Sequence, residues 1–452
     1  MTKRRDFIRN SAIATAGIAI GGMRFSAKSY ASIIGANERI NIAVIGIGHQ
    51  GIAHINSYCS MKNSNNVWLT TLCDVDEQFF AKRAKTVEEK TGIKPVTEWD
   101  MRKVFDNKEI HAVSLAIPNH WHALATIWAC QAGKHVYVEK PACHNIFEGR
   151  KMIEASRKYN VRMQVGFQSR SSDDEAMKFL HDGGIGKVYM ARGLCYNERD
   201  SFGIAKDSTP PATLHYDMWL GPAAWRPYNE KRAHYNWHWF WDTGDGDTGN
   251  QGPHQFDIAR WGMNKNEHPV SVYAAGGIYG IDPKECAQET PNTLSCTFKY
   301  SDGEMLEFET RGRSTNTESS VNVGNIFYGT EGYFVSGENW KAFRKRETVP
   351  FATSSPKARG KGVDVLPPKV AENLYHCTNF IDAIRSGNNE TLHCDIIDGF
   401  YSSALPHLAN ISYRLGRELK FNGAIEKFIN DPEADTMLTR NYRKPYVVPE
   451  EV

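Results

Sequence analysis

The sequence lacks three features that would each assign a class of protein. Its nine cysteines are scattered singly, with no Cys-x-x-Cys pair, so neither a structural zinc site nor a disulfide framework is indicated. Their odd number leaves at least one free thiol, which favours burial of the cysteines as small apolar residues. The formal net charge is only +2. Nothing in that balance indicates binding to nucleic acid or to an anionic membrane surface.

Long apolar segments are also missing. The uncharged stretch 11–23 is rich in Gly and Ala and is too short to span a bilayer comfortably. It follows Arg4 and Arg5, an order typical of a twin-arginine export signal, although a basic tail before a buried helix is the alternative. The small residue Ala31 predicts cleavage after it. We therefore expect residues 1–31 to be a signal, a periplasmic destination, and a mature charge of about −3.

The feature around which the chain is organised is a glycine-rich turn. An apolar run of strand length, 40–45, breaks into Gly46-x-Gly48-x-x-Gly51, and a helix-compatible segment follows. This spacing between a strand and a helix is typical of dinucleotide-binding domains. Gly46 permits the tight turn, Gly48 lets a pyrophosphate approach the backbone, and Gly51 lets the helix pack on the strand. A glycine turn without a ligand is the alternative.

An acidic residue follows at the expected distance. The apolar run 67–73 ends in Asp74, where dinucleotide-binding domains place the carboxylate that binds the adenosine ribose. A carboxylate there accepts the 2′- and 3′-hydroxyls of NAD and repels the 2′-phosphate of NADP. The sequence therefore predicts NAD as the cofactor, in preference to NADP.

Strand and helix patterns alternate as far as residue 167. We expect strands at 40–45, 67–73, 112–117, 135–139 and 162–166, and helices at 50–60, 76–91, 121–132 and 146–159. The strands are near-continuous apolar runs, as a parallel sheet covered on both faces requires. The fold class is therefore α/β, with a doubly wound Rossmann domain at residues 32–167.

Residues 168–452 have a different pattern. We expect a helix at 173–182, strands at 186–196, 270–276, 293–300, 304–311 and 321–328, a loop at 352–369, and helices at 370–386 and 395–416. Successive strands joined by turns predict an α+β domain with an open, mainly antiparallel sheet. We expect the two last helices to pack back at the domain junction. An uncovered apolar sheet face would pair subunits, which predicts a homo-oligomer.

Reactive side chains follow two of the predicted strands. Ligands of doubly wound sheets bind at the carboxyl ends of the strands. The residues there are Pro118, Asn119, His120 and His122 after one strand, and Glu139, Lys140 and Pro141 after the next. A lysine at this place could share a proton with a substrate hydroxyl, with its pKa lowered by burial. An ordinary solvated lysine is the alternative.

These motifs together resemble the glucose–fructose oxidoreductase/inositol dehydrogenase (Gfo/Idh/MocA) family. The resemblance covers essentially the whole mature chain. It implies a Rossmann domain, an open-sheet domain, and hydride transfer between NAD(P) and a carbon of a sugar or cyclitol. It also implies that Lys140 is the catalytic lysine at the nicotinamide. The implied cofactor-binding residues are Gly46, Gly48, Gly51, Asp74, Pro118, Asn119, His122, Glu139 and Lys140.

The family's second motif, Asp-x-x-x-His at the start of a helix, matches residues 250–254. The resemblance implies that His254 is the general base; a helix-capping or core histidine is the alternative. Residues four apart share a helix face, so Asn250 and His254 can contact one substrate. Asn250 departs from the family's Asp. Its amide can bind a sugar hydroxyl but cannot supply the negative charge that would hold an imidazolium.

Aromatic residues precede that helix. Five of the seven residues 235–241 are aromatic, and aromatic faces stack on the C–H faces of sugars. Trp237 and His238 are therefore candidate substrate contacts, with core packing as the alternative. Gln168 and Arg170 are weaker candidates, with an exposed position on the sheet rim as the alternative. The acidic residues between 242 and 247 lack the terminal Glu of a calcium loop, so no metal is expected.

Three hypotheses of function follow. The first is a periplasmic NAD-dependent oxidoreductase that acts on a sugar, glycoside or cyclitol. The second is a redox-neutral NAD-dependent glycosidase, which oxidises a hydroxyl, eliminates the aglycone and reduces the product again. The third is a sugar-binding protein without catalysis. The presence of Lys140 and His254 argues against this third hypothesis.

Overall fold

The computed structural model describes residues 38–337, 339–354 and 368–452. The predicted signal 1–31 lies outside the described residues, as do residues 355–367 of the predicted loop. Within the ranges described, no helix is long and apolar enough to cross a membrane. From residue 41 onwards the described residues form one compact unit.

The first part contains a six-stranded sheet in the order β3-β2-β1-β4-β5-β6. Its strands are β1 (Ile40–Ile45), β2 (Val67–Cys73), β3 (Val96–Glu98), β4 (Ala112–Leu115), β5 (His135–Glu139) and β6 (Met163–Gly166). The pairs β1–β4, β2–β3, β4–β5 and β5–β6 are parallel. The strand order reverses between β1 and β4, which opens a crevice at their carboxyl ends. The predicted Rossmann fold is confirmed.

The helices of this part are α1 (Gln50–Ser64), α2 (Phe80–Thr91), α3 (Met101–Asp106), α4 (Asn119–Gln131) and α5 (Ile146–Lys158). Asn145 caps α5, since its side chain accepts a hydrogen bond from the amide of Glu148. Gly92 ends α2 in the left-handed conformation, with φ +68°. The short elements β3 and α3 were not predicted, because three and six residues are too few to show a hydrophobic period.

The second part contains a ten-stranded sheet in the order β14-β13-β12-β11-β7-β10-β9-β8-β15-β16. Its strands are β7 (Val188–Cys195), β8 (Ser271–Gly277), β9 (Thr293–Lys299), β10 (Met305–Arg311), β11 (Val323–Gly329), β12 (Gly332–Val335), β13 (Lys341–Arg344), β14 (Ala352–Thr353), β15 (Leu419–Asn422) and β16 (Lys427–Phe428). The pair β7–β10 is parallel and the other described pairs are antiparallel. The predicted open, mainly antiparallel sheet is confirmed, and five short strands at its edges were not predicted.

Seven helices of the described residues accompany this sheet. They are α6 (Asp174–His181), α7 (Tyr216–Leu220), α8 (Gly246–Asn250), α9 (Gly252–Gly262), α10 (Pro368–Ser386), α11 (Ile396–Leu415) and α12 (Pro432–Asp435). Helix α10 contacts α1, and α11 contacts both α5 and β8. The two halves of the chain are thereby joined by long helices.

The two faces of the second sheet differ in character. On one face Phe256 of α9 packs on Phe308 and Phe298, with ring centroids 4.6 Å and 5.6 Å apart. On the other face Arg192 and Glu309 form an ion pair of 2.7 Å between Nη2 and Oε2. This second face is mixed, because the charged side chains at its centre lie beside an apolar cluster that includes Leu194, Ile326 and Val335. The expectation of an apolar face therefore holds only in part. All nine cysteines are free and buried, as expected.

Candidate active site

A cavity of about 410 Å³ lies between the two parts of the chain. The predicted site residues that line it are Gly46, Gly48, Asp74, Pro118, Asn119, Glu139, Lys140, Gln168, Trp237, His238, Asn250 and His254. They come from the carboxyl ends of β1, β2, β4, β5 and β6, from the segment before α9 and, for His254, from the first turn of α9. Lys140 and His254 therefore face the same space, as the predicted chemistry requires.

Each of the three positions in the glycine turn requires glycine for a different structural reason. Gly46 has φ +82°, and a Cβ there would collide with the carbonyl oxygen of Ala116. A Cβ on Gly51 would collide with the carbonyl oxygen of Gly46. Gly48 lines the cavity, and a Cβ there would meet no protein atom within 4 Å. The turn therefore leaves room for a pyrophosphate at Gly48, at the start of α1.

Asp74 stands beside that room, directly after β2. Its Oδ2 accepts a hydrogen bond of 2.9 Å from the amide of Ile47, and its Oδ1 accepts one of 3.0 Å from the amide of Asp76. Burial raises the pKa of Asp74 to about 6, although the two amide hydrogen bonds oppose the shift. Open space at Gly48 and a carboxylate at the end of β2 fit the pyrophosphate and the ribose of NAD.

Lys140 crosses the cavity to the second part of the chain. Its Nζ donates a hydrogen bond of 2.6 Å to the backbone carbonyl oxygen of Asn250. Burial lowers the pKa of Lys140, and the negative charges of Glu139 and Asp247 partly oppose that shift. A lysine with a lowered pKa can exchange a proton with a substrate hydroxyl more easily than a solvated one.

Glu139, next to Lys140, is held as a carboxylate. Its Oε1 accepts hydrogen bonds from Nε2 of His54 at 2.9 Å and from Nε2 of Gln168 at 2.8 Å. Burial alone would raise the pKa of Glu139, but the hydrogen bond and charge of His54, together with Lys140, lower it to about 2. Glu139 therefore supplies a fixed negative charge beside the lysine.

The sequence predicted that Asn250 and His254 share one helix, but the structure places them in two. Asn250 ends α8, and His254 lies in the first turn of α9, which begins at Gly252. Both side chains nevertheless belong to residues that line the cavity. The ring of His254 stands edge-on to the ring of Phe167, with centroids 6.1 Å apart. Proximity in the cavity is thus achieved by a break between two helices, not by a shared helix face.

The aromatic segment divides between two uses. Trp237 and His238 line the cavity, and their rings stack with centroids 3.6 Å apart. Burial lowers the pKa of His238 to about 3, so this ring is neutral at physiological pH. Trp239 and Phe240 are buried in the protein instead. The rings that line the cavity are available to stack on a sugar.

Two predicted contacts are placed elsewhere. His122 does not line the cavity; its ring nitrogens lie 2.6 Å from the carbonyl oxygen of Pro141 and 2.8 Å from that of Ile117. Arg170 is not an exposed rim residue but is buried in an ion pair with Asp257, at 2.9 Å. These placements correct both assignments from ligand contact to support of the fold.

Several lining residues were missed by the sequence analysis. They are His49, Gln50, Phe79, Trp99, Trp219, His234 and Tyr235. Gln50 donates to Oε1 of Glu139 at 3.1 Å. Trp99 follows β3, whose three residues show no strand pattern, so the sequence does not place Trp99 at the end of a strand. Across the described ranges, no group of three or more His, Cys, Asp or Glu side chains is arranged to hold a metal ion.

The end of the cavity near Asp74 is covered by residues 213–238, which we call the strap. The backbone amide of His215 donates to the carbonyl oxygen of Val75 at 2.8 Å, directly after Asp74. The ring of His215 stacks on Trp99, with centroids 3.9 Å apart. Nε2 of His234 lies 2.8 Å from Oδ2 of Asp76. The strap therefore packs on the residues around Asp74, on the side of the cavity where adenosine would lie.

Solved structures share this architecture. A levoglucosan dehydrogenase in complex with NADH superposes with a TM-score of 0.65 at 19% sequence identity, over 84% of this chain and 99% of that one. At this level of identity the likeness concerns the fold.

Curated relatives match over part of their length. Levoglucosan dehydrogenase of Pseudarthrobacter phenanthrenivorans is 30% identical over 165 residues, which are 34% of this chain and 40% of that protein. A glycosyl hydrolase family 109 protein of Saccharopolyspora erythraea is 26% identical over 209 residues, 42% of this chain and 45% of that protein. The chain thus spans less than half the length of these relatives.

Two family models match most of the chain. Residues 40–167 match the oxidoreductase family, NAD-binding Rossmann fold, and residues 202–448 match the oxidoreductase family, C-terminal alpha/beta domain. The glycine turn, Asp74 and Lys140 all lie within the first match. The chain belongs to the Gfo/Idh/MocA oxidoreductase family.

Proposed function

We propose that this protein is an NAD-dependent oxidoreductase that moves a hydride between the nicotinamide and a hydroxyl-bearing carbon of a sugar, glycoside or cyclitol. One observation carries the proposal. The glycine turn and Asp74, which fit NAD, line the same cavity as Lys140 and His254, which can handle a hydroxyl proton. Bound NAD⁺ supplies the hydride acceptor. Levoglucosan dehydrogenase and inositol 2-dehydrogenase are among the relatives of the chain, which supports a polyol substrate.

The chain's own groups have distinct parts in this reaction. Lys140 already donates one hydrogen bond across the cavity, so its remaining N–H bonds can orient a substrate hydroxyl. His254 accepts the hydroxyl proton as general base. The side-chain amide of Asn250 hydrogen-bonds a second hydroxyl, and the rings of Trp237 and His238 stack on the sugar ring. The fixed charge of Glu139 opposes the loss of a proton from Lys140, so that the ammonium group keeps its N–H donors for the substrate oxygen.

The direct test is a substrate screen with the purified protein. Levoglucosan, inositols and common sugars are offered with NAD⁺ or NADP⁺, and NADH or NADPH formation is followed by absorbance. We expect NADH formation with at least one polyol and a preference for NAD⁺. Absence of cofactor reduction with every polyol would contradict net oxidation.

A second function is favoured by the strap. A cofactor covered by the strap at the Asp74 end would leave slowly, and an enzyme that oxidises and then reduces the same sugar needs no exchange of cofactor. The similarity to a glycosyl hydrolase family 109 protein points the same way. We therefore retain redox-neutral glycoside cleavage as the second candidate. Release of the aglycone from nitrophenyl glycosides without net NADH formation would identify it.

We also propose export by the twin-arginine route and cleavage after Ala31. The pair Arg4 and Arg5 ahead of an uncharged stretch supports this proposal. The mature protein would then consist of the Rossmann domain 32–167 and the α+β domain 168–452. Fractionation of cells that express the full chain tests the proposal. We expect the mature protein in the periplasm, and an Arg4→Lys/Arg5→Lys variant should remain inside the cell.

Pairing of subunits is a further part of the proposal. The charged face of the second sheet carries arginine and glutamate side by side, and such a surface can match its own copy across a twofold axis. Tyr273, on the same face, is 50% exposed. We expect a homo-oligomer in light scattering. An Arg192→Glu variant should shift it towards the monomer.

A further inference from the structure

A cluster of titratable side chains lies behind the cavity and is not used by the reaction described above. Asp245 and His407 are 6% and 4% exposed, and neither lines the cavity. Nδ1 of His407 lies 3.4 Å from Oδ1 of Asp245. Nε2 of the same ring lies 2.9 Å from the carbonyl oxygen of Cys143.

The proton positions in this cluster follow from its partners. A carboxylate and a carbonyl are both acceptors, so each ring nitrogen of His407 must carry a proton to satisfy them. Burial alone would lower the pKa of His407, but the charge and hydrogen bond of Asp245 raise it well above the ordinary value. Asp245 and His407 therefore form a buried ion pair.

A neighbouring histidine is in the opposite state. Nε2 of His144 donates to the carbonyl oxygen of Gly244 at 3.3 Å, and its Nδ1 accepts from Nη1 of Arg440 at 3.0 Å. Burial lowers the pKa of His144 to about 4, so this ring is neutral at physiological pH. Nε2 of His144 also lies 3.8 Å from Oδ1 of Asp245, but the neutral ring leaves His407 as the positive partner of that carboxylate.

This ion pair is connected to three groups of the cavity wall. Asn119, after β4, donates from Nδ2 to Oδ2 of Asp245 at 3.3 Å. Lys140 lies three residues before Cys143 in the segment between β5 and α5, and the carbonyl oxygen of Cys143 accepts from His407. Helix α8, which ends in Asn250, begins directly after Asp245, and the amide of Gly249 donates to the carbonyl oxygen of Asp245 at 3.3 Å.

The connections converge on residues that are far apart in sequence. Asn119 and Lys140 come from the first part of the chain, Asn250 from the second, and His407 from α11. A buried ion pair contributes little net stability compared with well-packed apolar side chains. The pair does, however, fix how the elements that it joins are oriented, because hydrogen bonds have preferred distances and angles.

We propose that Asp245 and His407 are positioning residues, which fix Lys140, Asn119 and Asn250 relative to one another for hydride transfer. The pair touches neither the cavity nor a substrate and acts through the elements it joins. This inference rests on the proposed function for its kinetic consequence. The fixed placement of the three elements is independent of the reaction and can be measured separately.

Three variants test the proposal. Asp245→Asn/His407→Leu removes both charges together, so no unpaired charge is left buried. Asp245→Asn alone keeps the hydrogen bonds, since its amide can accept from Asn119 and donate to Nδ1 of a neutral His407. His376→Leu is the matched control, because His376 is also buried and its Nε2 lies 2.9 Å from the carbonyl oxygen of Val165.

Kinetics of the full-length holoenzyme give the first readout. We expect the double variant to lose kcat on the order of 100-fold, as misplacement of reacting groups does, with little change in KM for the sugar. Asp245→Asn should retain most of the activity, and His376→Leu should lower the melting temperature without lowering kcat. Wild-type kcat in the double variant, or an equal loss of kcat in the control, would overturn the proposal.

Hydrogen–deuterium exchange gives a readout that needs no substrate. In the double variant we expect faster exchange in the peptides that span 139–146 and 246–251, and in His376→Leu unchanged exchange there. Unchanged exchange in the double variant would overturn the positioning role even if no substrate is found. A wild-type protein that turns over no polyol or glycoside would instead contradict the proposed function.

Discussion

Nζ of Lys140 donates a hydrogen bond of 2.6 Å to the backbone carbonyl oxygen of Asn250. The two residues are 110 positions apart and belong to different halves of the chain. The bond therefore places the lysine across the cavity that both halves line. Because Lys140 has three N–H donors, this arrangement aims the ammonium group and leaves donors for a substrate.

Removal of the lysine amine should abolish most of the activity and spare the cofactor. In Lys140→Ala we expect kcat to fall by roughly 10²- to 10⁴-fold, the usual contribution of a general acid or base. NAD binding should persist, because Gly48 and Asp74 lie at other parts of the cavity. The measurement is steady-state turnover together with NADH titration. Lys178→Ala, at a side chain that is 75% exposed, is the control. Undiminished turnover in Lys140→Ala would remove the catalytic assignment.

Two glycine substitutions should have opposite consequences. Gly48→Ala adds a Cβ that meets no protein atom within 4 Å, so we expect an unchanged melting temperature and weakened NADH binding. Gly51→Ala adds a Cβ that would collide with the carbonyl oxygen of Gly46, so we expect a lowered melting temperature. Thermal unfolding and NADH fluorescence titration of both proteins check the contrast. Wild-type affinity in Gly48→Ala would argue against a pyrophosphate at this turn.

Cofactor affinity should depend on pH through Asp74. Its pKa is raised to about 6, so the carboxylate that we propose accepts the ribose hydroxyls is largely protonated at pH 5. We expect NADH binding about tenfold weaker at pH 5 than at pH 7, from the ionised fraction of this one group. NADH titration over that range is the measurement, and Asp74→Asn should lose the pH dependence. A pH dependence that survives in Asp74→Asn would assign it to another group.

The same carboxyl affects the stability of the cofactor-free protein. An unfolded Asp titrates near 3.9, below the value of about 6 in the folded protein. The folded state therefore binds this proton more tightly, and the stabilisation it provides is lost as the pH rises through about 6. Asp74→Asn should remove this component from the difference in unfolding free energy between pH 4 and pH 7.

Disruption of the strap should speed the release of the cofactor. Trp99→Ala removes the stacking partner of His215. An aromatic pair of this kind contributes roughly 0.5–1.5 kcal/mol, so we expect NADH release to be about two- to tenfold faster. The measurement is NADH release from the loaded protein after dilution into excess NAD⁺. Trp225→Ala is the control, because Trp225 lies in the strap and is 68% exposed. Equal release rates in both variants would show that the strap does not retain the cofactor.

Local residue patterns predicted much of the fold. The bounds of β1, β2 and β5 agree with the prediction to the residue, because these strands are short apolar runs between turn-forming residues. The edge strands β12 to β16 have two to four residues each and no recognisable period. The break between α8 and α9 was missed because residues 250 and 254 have the spacing of one helix face.

The sequence by itself determined the glycine turn, Asp74 and the residues after β4 and β5. Each needs a particular residue type at a position defined by its own strand, so the information is local. Only the tertiary structure decided that Arg170 pairs with Asp257, that His215 stacks on Trp99, and that Asp245 pairs with His407. These contacts join residues more than 80 positions apart, and their energy depends on burial and hydrogen-bond direction, which the order of residues along the chain does not express.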